Sequence, residues 1–290
     1  MQNKQSANSL KDRAPTNSEQ QASTASNSPD VIGDVWQCMR KEAVKEADAE
    51  PLLAEHLHAT IIDHPDFASA LSFHLAYLLG SQTLDTTVLK TLTTQTYADN
   101  PELVLAAAHD MAAIRDRDSA CHECGTPFLY YKGFHALQTY RIANHLWTHD
   151  RQELACYLQS ITSTRFGVDI HPAAKIGIGI MLDHATGIVV GETSTVGDNV
   201  SIMQAVTLGG TGKSSGDRHP KIGSGVLIGA GSKVLGNIRV GDSAQICAGS
   251  VVLNEVETHT VVAGVPAEVV GKIEDPMPAL TMNQAPDSIS

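Results

Sequence analysis

From Val168 onward the chain repeats with a period of six. Ile222, Ile228, Val234, Val240, Ile246 and Val252 stand six residues apart, and Ile170, Ile176, Leu182 and Ile188 keep the same step upstream. The register slips by two and resumes as Val190, Val196, Ile202 and Leu208. Neither a helix nor an alternating strand generates such a period. A parallel β-helix does. Each six-residue unit makes one flat side, three sides close a coil, and the aliphatic residue points into a narrow prism. Glycine often follows the aliphatic residue, as in Ile176-Gly177 and Val240-Gly241, and is expected to turn the corners at positive φ.

One stretch breaks the repeat. "GGTGKSSGDRHP", residues 209–220, lies between Leu208 and Ile222. A solenoid accommodates an insertion as a protruding loop, and such loops often carry function. This one gathers Lys213, Arg218 and His219, with Lys221 next to it, on a chain of net charge −12. The acidic balance argues against nucleic-acid binding, which needs a basic face. A local basic cluster still suits a small anionic ligand.

Residues 31–166 are patterned as helices. In "NPELVLAAAHDMAAIRD", Asn100 can cap, Pro101 fits the first turn, and Leu103, Ala107, Met111 and Ile114 share a face. "HPDFASALSFHLAYLLG" starts at Pro65 and stops at Gly80. The expected product is a bundle of six to eight helices. Residues 1–30 are rich in Ser, Asn, Gln and Thr, which predicts a disordered tail. Residues 273–290 form a second flexible tail. The fold class is therefore α+β: an all-helical N-terminal domain (31–166), then a parallel β-helix (167–272) with one protruding loop. No apolar run approaches the ~20 residues of a membrane span, and the N-terminus lacks the apolar core of a secretory signal. The five cysteines are odd in number and scattered, so no disulfide scaffold is expected. A cytoplasmic location follows as an expectation.

"VDIHPAAKIG", "IMLDHATGIVVGE", "VTLGGTGKSSGDRHPKIG" and "AGVPAEVVGK" resemble serine O-acetyltransferase, a hexapeptide-repeat acyltransferase of bacterial cysteine synthesis. The resemblance runs from about Asp34 to Lys272 and is most specific over 168–272. It implies a left-handed coil, acetyl-CoA as donor, L-serine as acceptor and no metal. It implies feedback inhibition by L-cysteine at the serine site, and homotrimers or dimers of trimers. Many relatives also insert a C-terminal isoleucine into O-acetylserine sulfhydrylase; here Ile289 is penultimate and Ser290 last.

Transferring an acetyl group to a hydroxyl requires a base for the hydroxyl proton. A neutral imidazole serves at neutral pH, best with a carboxylate fixing its tautomer. The resemblance makes His184 that base and Asp169 its orienting partner, 15 residues upstream and so on a neighbouring coil. It gives Asp183 and Asp118 to the substrate ammonium, and Arg218 and His219 to its carboxylate. Ser119 follows Asp118 where the family usually has proline. A backbone N–H in the 209–211 glycine turn is expected to hold the oxyanion. Gly210, Ala230, Gly231 and Ala248 match positions along the pantetheine arm, and Lys272 could meet CoA phosphates. Glu268 stands where relatives often carry a basic residue.

Cys121-His122-Glu123-Cys124 suggests metal only superficially, because structural zinc usually needs two separated ligand pairs. A loop after Asp118 is the expectation there. His56, His58, His64, His74 and His145 read as helix-surface or satisfied core residues. Three other functions compete: an acyltransferase for a sugar or antibiotic hydroxyl, a zinc carbonic anhydrase using His171, His184 and His219, and a non-catalytic binding solenoid.

Overall fold

The structure, a computed structural model, describes residues 30–212, 215–273 and 277–284. The expected N-terminal tail up to residue 29, Lys213 of the loop, and Ile289 and Ser290 lie outside the described residues.

Among the described residues, eight α-helices fill the N-terminal region: α1 (Val31–Ala49), α2 (Pro51–Leu57), α3 (Phe67–Leu79), α4 (Thr86–Asp99), α5 (Pro101–Arg117), α6 (Thr126–Tyr130), α7 (Lys132–Thr148) and α8 (Gln152–Phe166). A π-helical turn, His58–Ile62, extends α2. Two ends differ from expectation. α3 starts after Asp66, whose carboxylate accepts from the Ser69 N–H at 2.8 Å. Asn100 does not cap α5; its amide instead donates to the Thr96 carbonyl and closes α4. Ala107, Met111 and Ile114 are buried and Leu103 is half-buried, as the helical spacing requires. No described helix is long and apolar enough to cross a membrane.

Two cysteines correct the sequence reading. Cys38 of α1 and Cys124, just before α6, form a disulfide. A pairing between residues 86 apart leaves no local spacing signal. His74 is also corrected. It is buried, neither ring nitrogen has a hydrogen-bond partner among the described residues, and desolvation pushes its pKa down to about 3.

α8 ends at Phe166, and Gly167 at φ +67° turns the chain into the solenoid. Its strands come three to a coil: β1 (Val168–Ile170), β2 (Lys175–Ile176), β3 (Met181–Leu182); β4 (Ile188–Val190), β5 (Thr195–Val196), β6 (Ser201–Ile202); β7 (Thr207–Gly209), β8 (Lys221–Ile222), β9 (Leu227–Ile228); β10 (Lys233–Leu235), β11 (Arg239–Val240), β12 (Gln245–Ile246); then β13 (Val251–Val252), β14 (Thr260–Ala263) and β15 (Glu268–Lys272). Every third strand pairs in parallel until the last coil, where β12 pairs with β14, giving sheet A (β1-β4-β7-β10-β13), sheet B (β2-β5-β8-β11) and sheet C (β3-β6-β9-β12-β14). β15 closes sheet C antiparallel.

Strands of two or three residues make few ladder bonds, each worth ~1 kcal/mol net. Burial of the inward aliphatics, at ~1.5–3 kcal/mol apiece, therefore stabilises the solenoid more than its ladders do. Val190, Ile202, Leu208, Ile228, Val234 and Ile246 are each at most 2% exposed. The glycines that follow the aliphatic residues do not turn at positive φ as expected. A Cβ on Gly177 would lie 2.9 Å from the next coil's backbone, so close stacking selects glycine there. Positive φ occurs a few residues away, at Gly231 among others.

The coils are not uniform, and the departures are local. Ile170 pairs with Val190, 20 residues on, whereas Val190 pairs with Leu208, 18 on. Because β3 keeps its six-residue step from β2, the two extra residues fall between Leu182 and Val190. Val196 pairs with Ile222, 26 on, which places the larger insertion between Leu208 and Ile222.

A buried ion pair seats the helices on the first coil. Arg141 of α7 donates twice to Asp110 of α5, at 3.1 and 2.7 Å, and once to the Gly177 carbonyl at 2.8 Å. The other Asp110 oxygen accepts from the Ile180 N–H at 2.8 Å. Arg117, at the end of α5, reaches Ser201 and Asn199 at 3.2 Å each. A short helix, α9 (Pro278–Thr281), returns to this junction, where Ser201 donates to the Ala279 carbonyl.

Candidate active site

The two insertions carry His184 and Arg218 of the candidate site, and they lie on different edges of the prism. The first edge joins sheet C to sheet A, where the two extra residues form the corner after Leu182. There His184 and Ala185 both adopt left-handed φ, +53° and +57°. Single left-handed residues turn other corners, at Asn199, Ala205 and Ser243, so the consecutive pair is what sets this corner apart. The Asp183 N–H is fixed to the Ile202 carbonyl at 2.8 Å. The His184 ring is thrown outward, its side chain 74% exposed, with Nε2 3.9 Å from Asp183 Oδ1.

Asp183 is not alone. Burial raises its pKa; the neighbouring His184 works against that rise, and the Asp118 carboxylate adds to it. Asp118 caps the C-terminus of α5, where its side chain accepts from the Ala120 N–H at 2.8 Å. Tyr131 stands against the same carboxylate, and its phenol is pushed up by burial first and by Asp118 second. The helix that brings Tyr131 here approaches closely: a Cβ on Gly133 of α7 would sit 2.2 Å from the Leu182 carbonyl. Lys132 donates to Thr186 on the far side of the corner. Two carboxylates from separate elements thus crowd one exposed imidazole. Such repulsion is relieved by a bound cation.

Below this corner, small residues continue the edge. The N–H of Ala205 donates to Thr186, that of Gly231 to Gln204, and that of Gly249 to Ala230, at 2.8–2.9 Å. Ala230, Gly231 and Ala248 therefore line a ledge leading to His184. Among the described residues beyond its chain neighbours, no atom lies within 4 Å of where a Gly231 Cβ would project.

The second edge joins sheet A to sheet B and holds the loop. Arg218 donates to Glu192 Oε2 at 2.6 Å, which holds the Glu192 carboxyl below its usual range. Thr193 organises the neighbour: its hydroxyl oxygen accepts from the N–H groups of Arg218 and His219, at 3.0 and 3.1 Å. The Thr193 N–H donates to His219 Nδ1 at 3.1 Å, and the Thr193 hydroxyl lies 2.9 Å from the same nitrogen. With Nδ1 accepting, Nε2 carries the proton. Burial, then Arg218, lowers the His219 pKa and keeps that ring neutral. His171 lies on this edge one coil earlier; burial lowers its pKa, while Glu192 and Asp169 oppose the shift. Gly210 also belongs here, and its N–H has no acceptor among the described residues.

Asp169 sits mid-strand in sheet A, paired in register with Val189 and accepting from Gln159 of α8 at 2.7 Å. Among the described residues, no hydrogen bond or ion pair joins it to His184. The fold therefore groups Asp118, Asp183 and His184 on one edge and Arg218, His219 and Gly210 on another. A side of the prism, roughly 20 Å at six residues per side, separates them. Lys272 is elsewhere, on β15, bonded to Glu257 and Thr260 at 3.3 and 3.2 Å. Glu192, Thr193, Tyr131 and Gln159 were missed in the sequence. Only Glu192-Thr193 carried a signal, being the corner that stacks directly on the loop.

Metal chemistry at His171, His184 and His219 is not supported, since His184 is on the wrong edge. Among the described residues, the metal-ligating side chains that converge are Cys38, Glu42 and Cys124, away from this site.

Comparison with known proteins bears on the same elements. Residues 35–139 match the family described as "Serine acetyltransferase, N-terminal", and residues 219–254 match "Bacterial transferase hexapeptide (six repeats)". The serine acetyltransferase of Escherichia coli K12 is 55% identical over 250 residues, which is 86% of this chain and 92% of the relative. A solved serine acetyltransferase in complex with cysteine superposes with TM-score 0.86 at 53% identity, over 87% of this chain and 98% of that one. A second, in complex with CoA, gives 0.80 at 52% identity, over 82% and 100%.

Proposed function

This chain belongs to the serine acetyltransferase family, and on that premise we propose that its two charged edges meet between neighbouring copies to move an acetyl group from acetyl-CoA to the hydroxyl of L-serine. The observation that carries the proposal is the division itself. An exposed base with two crowded carboxylates occupies one edge, and a guanidinium, a neutral histidine and a free N–H occupy the next. Each edge holds half of what an amino-acid substrate needs.

Asp183 and Asp118 take the serine ammonium, which relieves their mutual repulsion. Arg218 takes the carboxylate through its planar fork, with Glu192 keeping the fork aimed. His219 donates Nε2–H to the same ligand. His184 removes the proton from serine Oγ as that oxygen bonds to the thioester carbonyl carbon. The Gly210 N–H stabilises the resulting oxyanion. As the carbonyl reforms, the C–S bond breaks, the CoA sulfur leaves, and the His184 imidazolium returns the proton to it. The products are O-acetyl-L-serine and CoA. Asp169 has no bond to the His184 of its own chain among the described residues, so in this arrangement it orients the His184 of a second copy. The ledge at Ala230, Gly231 and Ala248 carries the pantetheine arm. Lys272, exposed at the end of the solenoid, is available to a phosphate.

L-cysteine differs from serine only in its side-chain heteroatom, so it occupies the same ammonium and carboxylate contacts and inhibits. A relative's structure with cysteine supports this. Acetyl-CoA as donor supports the expected cytoplasmic location. Closed trimers, or pairs of trimers, are the assembly in which every edge finds its complement.

The test is release of CoA thiol from acetyl-CoA and L-serine. Wild type turns over and is inhibited by L-cysteine competitively with serine. His184→Ala loses ~10²–10⁴ of kcat/KM, the usual contribution of a general base. Wild-type turnover in His184→Ala removes it as the base. Equal turnover of an amino sugar favours the alternative acceptor.

A further inference from the structure

The segment that joins α5 to α6 runs from Asp118 to Gly125 in turns and bends, with no helix or strand of its own. Its first residue carries one of the two carboxylates assigned above to the serine ammonium. Its far end is fastened to α1 by two bonds: the Cys38–Cys124 disulfide, and the Gly125 N–H donated to Glu42 at 2.9 Å. Cys121 ties the two ends together. Its N–H donates to the Asp118 carbonyl at 2.9 Å, and its thiol donates to the Glu123 carbonyl at 3.5 Å. The Asp118 carboxylate folds onto the same turn through the Ala120 N–H at 2.8 Å. A shift at Cys124 is therefore passed to Asp118 through a short run of hydrogen bonds. Cys121 is buried, and burial first and Asp118 second raise its pKa. It stays a thiol that holds the turn rather than a thiolate that attacks the disulfide beside it.

We propose that the Cys38–Cys124 disulfide is a redox-controlled positioning element for serine binding: oxidised, it holds Asp118 in place for the substrate ammonium; reduced, it lets Asp118 drift. This rests on the reading of Asp118 given above. The 6.0 Å Cα–Cα separation lies in the range that a disulfide spans without backbone movement, so the oxidised form needs no distortion. Cys124 is buried and Cys38 half-buried, so an attacking thiolate meets the Cys38 sulfur first. That attack forms a mixed disulfide at Cys38 and expels the Cys124 thiolate. A second low-molecular-weight thiol then attacks the mixed disulfide. The S–S bond gains two electrons, the protein sulfurs end as two thiols, and the external thiols leave as their own disulfide. Two thiols need more room than a bonded pair, and of the two bonds to α1 only Gly125–Glu42 then remains. In a reducing compartment such disulfides are transient and report redox state. Asp183 stays where it is, because its N–H is fixed to the Ile202 carbonyl on the solenoid. Reduction thus loosens one of two ammonium contacts and leaves His184 and the acetyl-CoA ledge untouched.

The test compares full-length protein oxidised with diamide and protein reduced with a phosphine, which leaves as its oxide with oxygen from water. Both are desalted without oxygen, and peptide mapping after alkylation fixes the state of each cysteine. Acetyl transfer is followed by loss of the thioester, so that protein thiols do not enter the signal. Reduction should raise KM for serine roughly three- to tenfold, less than the loss of a whole charge-assisted hydrogen bond. It should leave kcat and KM for acetyl-CoA unchanged, and reoxidation should reverse it. Cys38→Ser and Cys124→Ser should show the reduced KM and ignore the reductant. Cys121→Ser, whose hydroxyl can donate to Glu123 as the thiol does, should keep the response. Equal serine KM in the two states of wild type overturns the proposal. So does a parallel fall in kcat, a response surviving in Cys38→Ser, or diamide-treated protein without a Cys38–Cys124 link. Asp118→Asn separates the switch from the reading beneath it. A raised serine KM in that variant, beside a redox-insensitive wild type, removes the switch alone; an unchanged serine KM removes Asp118 from the ammonium site and the proposal with it.

Discussion

Asp183, proposed to hold the substrate ammonium, costs its own fold stability. Burial and Asp118 raise its pKa, so between the unfolded and folded values the native state holds a proton that the unfolded chain has released. Stability then falls as pH rises through that window, and the penalty persists at neutral pH. Asp183→Asn removes it. The expected outcome is a higher Tm than wild type at pH 7, no gain in strong acid where both forms are neutral, and a large rise in KM for serine. An unchanged neutral Tm would contradict the crowding. In the sequence, "LDHATG" was legible as an acid beside a base. That Asp118 joins it came from the family resemblance and not from spacing, because 65 residues separate the two aspartates and only the tertiary seating of α5 brings them together. The tautomer of His219 was equally hidden. It depends on Thr193, which reads as an ordinary corner residue.

At the scale of elements, the solenoid was readable because its period comes from one repeated event, an aliphatic side chain entering the prism. The two breaks in the period were readable for the same reason, and both carry proposed site residues. Contacts that occur once leave no period. The Cys38–Cys124 pairing and the close approach of α7 to β3 are of this kind. Gly133→Ala tests the second. Helix propensity alone favours alanine by ~1 kcal/mol. The added Cβ, however, meets the Leu182 carbonyl, and overpacking costs ~1–3 kcal/mol. The expected result is a net loss of stability together with a fall in kcat, because Asp183 and His184 follow Leu182 directly. Higher stability with full activity would show that the approach is slack. His74 tests the helical core. Its folded pKa of about 3 lies below the unfolded value, so the unfolded chain gains a proton first on acidification and stability falls below about pH 6.5. His74→Phe, stacked on Phe128 as the imidazole is, should flatten that decline by up to about 3 kcal/mol, read as unfolding free energies between pH 7 and pH 4.

At the scale of the whole molecule, the prism has a fixed geometry and its edges cannot approach one another. A chain with His184 on one edge and Arg218 on the next either uses two half-sites or joins with copies of itself. The acidic surface does not argue against association, because the second edge gathers Arg218, His171, His219 and Lys221 within it. The most direct measurement is therefore subunit mixing. His184→Ala and Arg218→Ala are each prepared and found inactive in CoA release, then co-expressed so that trimers form from both. If the site is shared, an intact half from each variant meets at some interfaces, and random mixing restores about one quarter of the wild-type rate. A mixture no more active than its two components would contradict the shared site and return the whole reaction to a single chain.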